Sequence, residues 1–239
     1  MVAAAVLGAD LLVAAADFPA VEVPSAAADR PGVGNMAFLT QTQKDNIAEA
    51  IRKAESATSG EFVAVIAPAS DNYPYIPLLW AALCALAVPS IIMLLQVTTL
   101  SFVVLQAITF VICAVLFRWQ PIKIKLIPTF TKHRRAQLAA REQFLLQGVH
   151  NTAQRNGILL YVSVAERYVE IVADKGVNDV VSDNTWDNLV EQFVNHVRSG
   201  QIETGFITAV EECGRILQKH FPISEKDINE LPNHLVELR

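Results

Sequence analysis

The segment Asp174-Lys175-Gly176-Val177-Asn178-Asp179-Val180-Val181-Ser182-Asp183 gathers three carboxylates and one carboxamide into a single loop. Carboxylate, carboxamide and backbone carbonyl oxygens are hard donors, the kind that Ca²⁺ and Mg²⁺ select. Asp174, Asp179 and Asp183 are therefore the candidate metal ligands of this chain, with Ca²⁺ or Mg²⁺ as the cofactor they would take. The same residues also have a plainer use. Asp183 and Asn184 suit the start of a helix, where an acceptor caps free N–H groups and a negative charge meets the helix dipole. Gly176 suits a turn that needs positive φ. Glu61, directly after Ser59-Gly60, stands at the start of a strand and could face the same loop or sit exposed at the strand edge.

No other segment carries a recognisable catalytic spacing. There is no nucleophile elbow, phosphate-binding glycine loop, dinucleotide fingerprint or zinc motif. His133, His150, His196, His220 and His234 are scattered. Cys84, Cys113 and Cys213 have neither metal-ligand nor redox spacing and read as small buried hydrophobes. A formal net charge of −5 argues against nucleic acid as a partner, since that function needs a basic footprint.

The acidic loop must be held by the elements on either side of it. Ile158–Val164 is a continuous apolar run, as expected of a buried central strand. Tyr168–Ala173 is a second strand joined to it by a short link, which predicts a hairpin. After the loop, Trp186, Leu189, Val190, Phe193, Val194 and Val197 fall on one helical stripe, stopped by Gly200. Phe206, Ile207, Val210, Gly214 and Leu217 mark a further helix that stops near Phe221-Pro222. Upstream, Thr40–Ala57 reads as a helix with Thr40 and Gln43 in capping-box positions, and Glu61–Ala67 reads as a short strand. Phe130–Gln154 reads as a long helix with Leu138, Leu145 and Val149 on one stripe. Ligands in α/β sheets collect at strand-end loops, which favours the acidic loop as the functional end.

Between the first strand and the long helix the chain changes character. From Asn72 to Phe117 it contains no charged residue. Ile76–Leu95 and Leu100–Phe117 are predicted as two membrane spans joined by a polar turn, Gln96–Thr99. Beyond them come Arg118, Lys123, Lys125, Lys132, Arg134, Arg135 and Arg141 with no acid among them. Both ends of a hairpin emerge on one face, and by the positive-inside rule these cations assign that face to the cytoplasm. The lipid bilayer is thus an expected partner, with anionic headgroups as a secondary one.

The termini are less informative. Residues 1–35 are rich in Ala, Val, Pro and Gly, lack a basic region ahead of their apolar stretch, and contain Asp10 within it. A secretory signal is not expected there. The segment reads as a disordered or wrongly assigned extension, with structure beginning at Met36. Residues 223–239 read as a polar tail with a small Leu231/Leu235/Leu238 stripe.

Several of these stretches resemble the TPM domain family, named for a thylakoid lumen protein, a photosystem II repair protein and a nematode receptor modulator. Thr58-Ser59-Gly60-Glu61-Phe62-Val63-Ala64-Val65 is similar to its first strand, and Asn156-Gly157-Ile158-Leu159-Leu160-Tyr161-Val162-Ser163 to its second. Ala165-Glu166-Arg167-Tyr168-Val169-Glu170-Ile171 resembles its turn and third strand, and Gly205-Phe206-Ile207-Thr208-Ala209-Val210 the start of its last helix. The resemblance covers roughly 38–71 and 137–221 and fits best a bacterial membrane branch with a two-span hairpin set into the domain. It implies calcium binding in some members, weak acid phosphatase activity in others, and roles in assembling or repairing membrane complexes. In the family loop, Gly176, Val177 and Asp183 match and Asp179 lies near the acid position, whereas Asp174 replaces the first glycine.

The expected architecture is α/β, a small sheet flanked by helices with an inserted transmembrane helical hairpin. The expected divisions are 1–35 extension, 36–71 first part of the domain, 72–117 hairpin, 118–222 remainder and 223–239 tail. The expected function is a binding or assembly module of a membrane protein complex, at the cytoplasmic face of the bacterial inner membrane. The alternative is a metal-assisted phosphomonoesterase, in which the metal polarises a phosphoryl oxygen and activates water. The sequence offers no residue set for the catalytic role.

Overall fold

The structure is a computed structural model that describes residues 12–17, 38–93, 99–223, 230–231 and 234–238. The chain divides into two compact units, one made of residues 1–70 and 136–239 and the other of residues 71–135.

The first unit is an α/β layer structure. Its strands are β1 (Leu12–Asp17), β2 (Glu61–Ala67), β3 (Gly157–Ser163), β4 (Tyr168–Ala173) and β5 (Leu235–Glu237), in the spatial order β1-β4-β3-β2-β5. β2 and β3 pair in parallel, from Glu61 opposite Gly157 to Ala67 opposite Ser163. β3 and β4 form the expected antiparallel hairpin, whose turn closes on Arg167 at φ 55°. Every residue of β2, β3 and β4 is buried, which explains why these strands read as unbroken apolar runs.

The two faces of the sheet are filled by different helices. Phe62, Ala64, Ile66, Ile158, Leu160 and Val162 face one core, with α1 (Gln41–Glu55), α7 (Asp183–Arg198) and α8 (Ile202–His220) over it. The expected capping box of α1 is present: the Gln43 N–H donates to Thr40 Oγ1 at 3.3 Å and the Thr40 N–H to Gln43 Oε1 at 2.9 Å. All six residues of the α7 stripe are buried. Val63, Val65, Leu159, Tyr161 and Val172 face a second core, covered by Ala140 and Phe144 of α5 (Thr129–Leu146).

Four expectations are corrected. α5 ends at Leu146, and a short 3₁₀ turn, Val149–Asn151, follows it. Its buried face is Ala136, Ala140 and Phe144, while Leu138 and Leu145 are exposed. Within 1–35, Leu12–Asp17 forms edge strand β1 on β4. The rest of that segment lies outside the described residues. An alanine-rich strand pairs through its backbone and shows little side-chain alternation to read. Within the polar tail, Leu235–Glu237 adds to the other edge, Leu235 pairing in parallel with Ala64. Three residues are too few to declare a period.

The second unit contains α2 (Tyr75–Met93), α3 (Thr99–Leu116) and α4 (Gln120–Leu126). α2 and α3 pack against each other, so the helical pair expected from the sequence is present. At about 1.5 Å per residue they are about 28 and 27 Å long, against a hydrocarbon core of about 30 Å. Among the described residues, no helix is long and apolar enough to cross a membrane, and the two expected spans are not shown as such. The expected turn at 96–99 lies mostly outside the described residues. A separate cluster of Tyr73, Ile76 and Ile127 closes the foot of this unit, where the Trp80 indole N–H donates to the Leu126 carbonyl at 3.1 Å.

The close contact behind β3 gives a stability test. A Cβ on Gly157 would stand 2.5 Å from both Val149 Cγ1 and the Val149 carbonyl oxygen, a backbone atom with little freedom to move. Gly157→Ala should lower stability by about 1–3 kcal/mol, as overpacking does. Gly200, at φ +74° in open space, meets no atom. Gly200→Ala should cost about 1 kcal/mol from backbone strain alone. Denaturant unfolding of the two variants should rank them in that order.

Candidate functional site

The acidic loop lies where β4 ends and β3 begins. The Asp174 N–H donates to the Gly157 carbonyl at 2.9 Å, locking the loop onto the first residue of β3. Asp174 is buried and caps α6 (Lys175–Asn178): its Oδ1 accepts from the Lys175 N–H at 2.7 Å, and its Oδ2 lies 3.6 Å from Arg155 Nε. Asp179 follows α6 as its C-cap and is exposed. Asp183 is also exposed, in the first turn of α7, where its charge complements the helix dipole. Ser182, rather than Asn184, is the N-cap of α7. Gly176 sits within α6 rather than at a positive-φ turn. A Cβ there would come within 2.7 Å of the Gln154 and Arg155 carbonyl oxygens, so packing accounts for this glycine.

The structure thus places the three aspartates in one loop but gives them separate tasks. Among the described residues, no group of three or more His, Cys, Asp or Glu is placed to hold a metal ion. Glu61 is at the same end of the sheet, opposite Gly157, yet its Oε1 accepts the Glu230 N–H at 2.9 Å. Its neighbourhood is structural: the Asn156 Nδ2 donates to the Ser59 carbonyl at 2.7 Å, and the Phe62 N–H donates to Glu55 Oε1 at 3.0 Å. Burial pushes the Glu55 carboxyl up to about 8, against that hydrogen bond and with help from Glu61.

A second polar cluster lies at the opposite end, past the C-terminal ends of the parallel strands. Ser70 Oγ donates to Ser163 Oγ at 2.9 Å, and Ser163 Oγ in turn donates to Glu166 Oε2. The Ser70 N–H donates to the same carboxylate oxygen at 3.0 Å, and Tyr161 OH lies 3.0 Å from Ser70 Oγ. Ser163 and Glu166 are buried. Across the hairpin, Tyr168 OH donates to Glu170 Oε2 at 2.9 Å. Register pairs Tyr161 with Glu170 and Ser163 with Tyr168, so one sheet face carries the whole set.

The chemistry of this cluster follows from where its protons go. Each serine hydroxyl is spent on the next acceptor, and none of these bonds involves a histidine that could take a proton from it. The network clamps the chain leaving β2 to the β3–β4 turn. Glu170 differs. It is fully buried, burial pushes its carboxyl up to about 8, and the Tyr168 hydrogen bond and the Arg141 charge offset this only in part. Among the described residues its Oε1 has no hydrogen-bond partner. Burial and the neighbouring Glu170 also raise the Tyr168 phenol. The sequence signal for this group was one acid inside an otherwise apolar strand, Tyr168-Val169-Glu170-Ile171-Val172-Ala173.

Residues 121–216 match the family model of the TPM domain. Among solved structures, the chain is similar to the BA42 protein from the psychrophilic bacterium Bizionia argentinensis, with a TM-score of 0.54 and 25% identity. That similarity covers 86% of this chain and 99% of the BA42 chain. No curated protein matches the chain. Residues 121–216 thus match a TPM domain, and the α/β fold, a sheet flanked by helices, is similar to that of BA42.

Glu170 sets a pH dependence. Its folded-state value of about 8 lies above the ordinary 4.5, so the folded state holds the proton more tightly than the unfolded chain. That contribution is fully present below about pH 4.5 and is lost as pH rises towards 8. Glu55 adds a contribution of the same sign over the same window. Denaturation midpoints should fall between pH 5 and 8 in the wild type, and the fall should be shallower in Glu170→Gln, which still accepts from Tyr168.

Proposed function

We propose that this chain is a membrane-anchored TPM-type module that binds or assembles with a membrane protein complex at the cytoplasmic face of the bacterial inner membrane. The observation that carries this reading is the side-chain chemistry of α2 and α3. No residue of either helix is charged, and Leu79, Leu86, Ile91, Val103, Ile112 and Val115 are all at least half exposed. Full burial of such a side chain is worth about 1.5–3 kcal/mol, and leaving half of it in water forgoes a corresponding share. The lipid interior is the solvent that accepts them, and a helix about 2–3 Å short of the core is accommodated by local thinning or by snorkelling flanks. Trp80, Tyr75 and Trp119 are all more than a third exposed, and Trp119 follows Arg118 in the chain, the pairing of amphipathic ring and cation found at a membrane–water interface.

The family match supports the module, and the side chains favour binding over catalysis. Asp174 caps α6 and pairs with Arg155, and the hydroxyls of Ser70 and Ser163 are taken up in a clamp that contains no histidine. No specific observation favours the metal-assisted phosphomonoesterase.

Fractionation and topology test the proposal. The full chain should stay with membranes after alkaline carbonate extraction, and should leave them when α2 and α3 carry Leu79→Lys, Leu86→Lys and Val103→Lys together. A reporter fused after residue 239 should be active only as a cytoplasmic reporter. Release of the wild-type chain by carbonate would overturn the anchor, and an outward C-terminus would overturn the orientation.

A further inference from the structure

We infer that residues 118–134, at the foot of the helical pair, form a binding surface for the headgroups of anionic phospholipids. The anchor thereby selects its lipid neighbours rather than merely dissolving among them. This rests on the membrane reading above. Between residues 71 and 135 stand six of the chain's 19 Lys and Arg but only one of its 24 Asp and Glu. The single acid, Asp71, is occupied: its Oδ2 lies 3.2 Å from Arg135 Nε, and its Oδ1 accepts the Tyr73 N–H at 3.2 Å. Lys123 is occupied as well, its Nζ donating to the Asn72 carbonyl at 2.9 Å. Arg118, Lys125 and Arg134 are exposed and make no ion pair among the described residues.

The acid-poor segment stands out against the rest of the molecule, which is strongly acidic. A chain of net charge −5 that gathers uncompensated cations beside its most apolar helices has a charge asymmetry matched to a negatively charged surface. Depth is marked by aromatic side chains. Trp119 is 68% exposed directly beside Arg118, and Phe130 is 75% exposed ahead of Arg134. An amphipathic ring seats at headgroup level, where neighbouring guanidinium and ammonium groups meet phosphate. Arginine presents a bidentate fork to a phosphodiester, and Lys125 adds a point charge.

The test reconstitutes the full chain into vesicles of phosphatidylcholine with a minor fraction of phosphatidylglycerol and brominates one lipid at a time. Bromine quenches tryptophan at short range, so in a Trp80→Phe background, used for every arm, Trp119 reports its lipid neighbours, while Trp186, buried in the first unit, supplies a constant background. Brominated phosphatidylglycerol should quench more than its mole fraction predicts. The excess should fade in about 1 M salt, where the screening length is about 3 Å. It should disappear in Trp119→Phe. Each of Arg118→Gln, Lys125→Gln and Arg134→Gln should weaken the apparent affinity for the anionic lipid roughly five-fold, while Arg118→Lys with Arg134→Lys should retain most of it. Quenching in proportion to mole fraction would overturn the inference and leave the anchor standing. Quenching by neither lipid would overturn both. A preference abolished by millimolar inorganic phosphate would assign the surface to a free anion and overturn the lipid reading, and a preference that survives Arg118→Gln, Lys125→Gln and Arg134→Gln combined would overturn it too.

Discussion

The parallel pairing of β2 with β3 is the constraint on which the remaining architecture depends. Two parallel neighbours cannot be joined by a tight turn; the chain must leave at Ala67 and return to Gly157 at the other end of the sheet. Everything from Pro68 to Asn156 is therefore crossover, and this crossover contains the whole second unit as well as α5. Loop-closure entropy rises only with the logarithm of length, so a long insertion costs little more than a short one. The return is tightly controlled: Gly157 passes against the Val149 carbonyl, and Asp174 fastens the end of β4 to the same glycine. The departure is fastened by Ser70, bonded to Ser163 and Glu166.

Glu55, half-buried at the end of α1, and Glu170, fully buried in β4, are handled in the same way. Glu55 gives up water for one backbone N–H and Glu170 for one phenol, and in both the cost of burying a charge raises the carboxyl towards neutrality. Such groups tie the fold together when protonated and strain it when ionised. The first unit is thus an acidic body with neutralised carboxyls in its interior, while the chain between 71 and 135 is apolar and cationic. This division of charge and hydropathy is sharper than any motif in the chain and underlies the functional reading.

Legibility followed the range of the forces involved. The α1 capping box, the α7 stripe, the β3–β4 hairpin and the uncharged helical pair depend on near neighbours in the chain, and each could be read from residue types and spacing. The buried face of α5 could not. Its sequence offers two plausible stripes, and only packing in the folded chain decides for Ala136, Ala140 and Phe144 over Leu138 and Leu145. The edge strands β1 and β5 were hidden for a related reason: their partners lie more than a hundred residues away, and pairing through the backbone leaves little trace in side-chain pattern.

For the candidate site the sequence by itself determined which residues carry charge and that an acidic loop follows β4. It did not determine what those carboxylates face. Asp174 is spent on capping α6 and on Arg155, and Asp179 and Asp183 point to solvent as helix-end residues. The strand-end rule drew attention to the loop after β4, but β4 runs antiparallel. The C-terminal ends of the parallel pair lie at the opposite end of the sheet, with Ser163, Glu166 and Glu170. Chemical type is a local property of the chain. The burial that neutralises Glu170, and the register that sets it opposite Tyr161, come from segments that meet only in the folded sheet, so only the tertiary structure decided them.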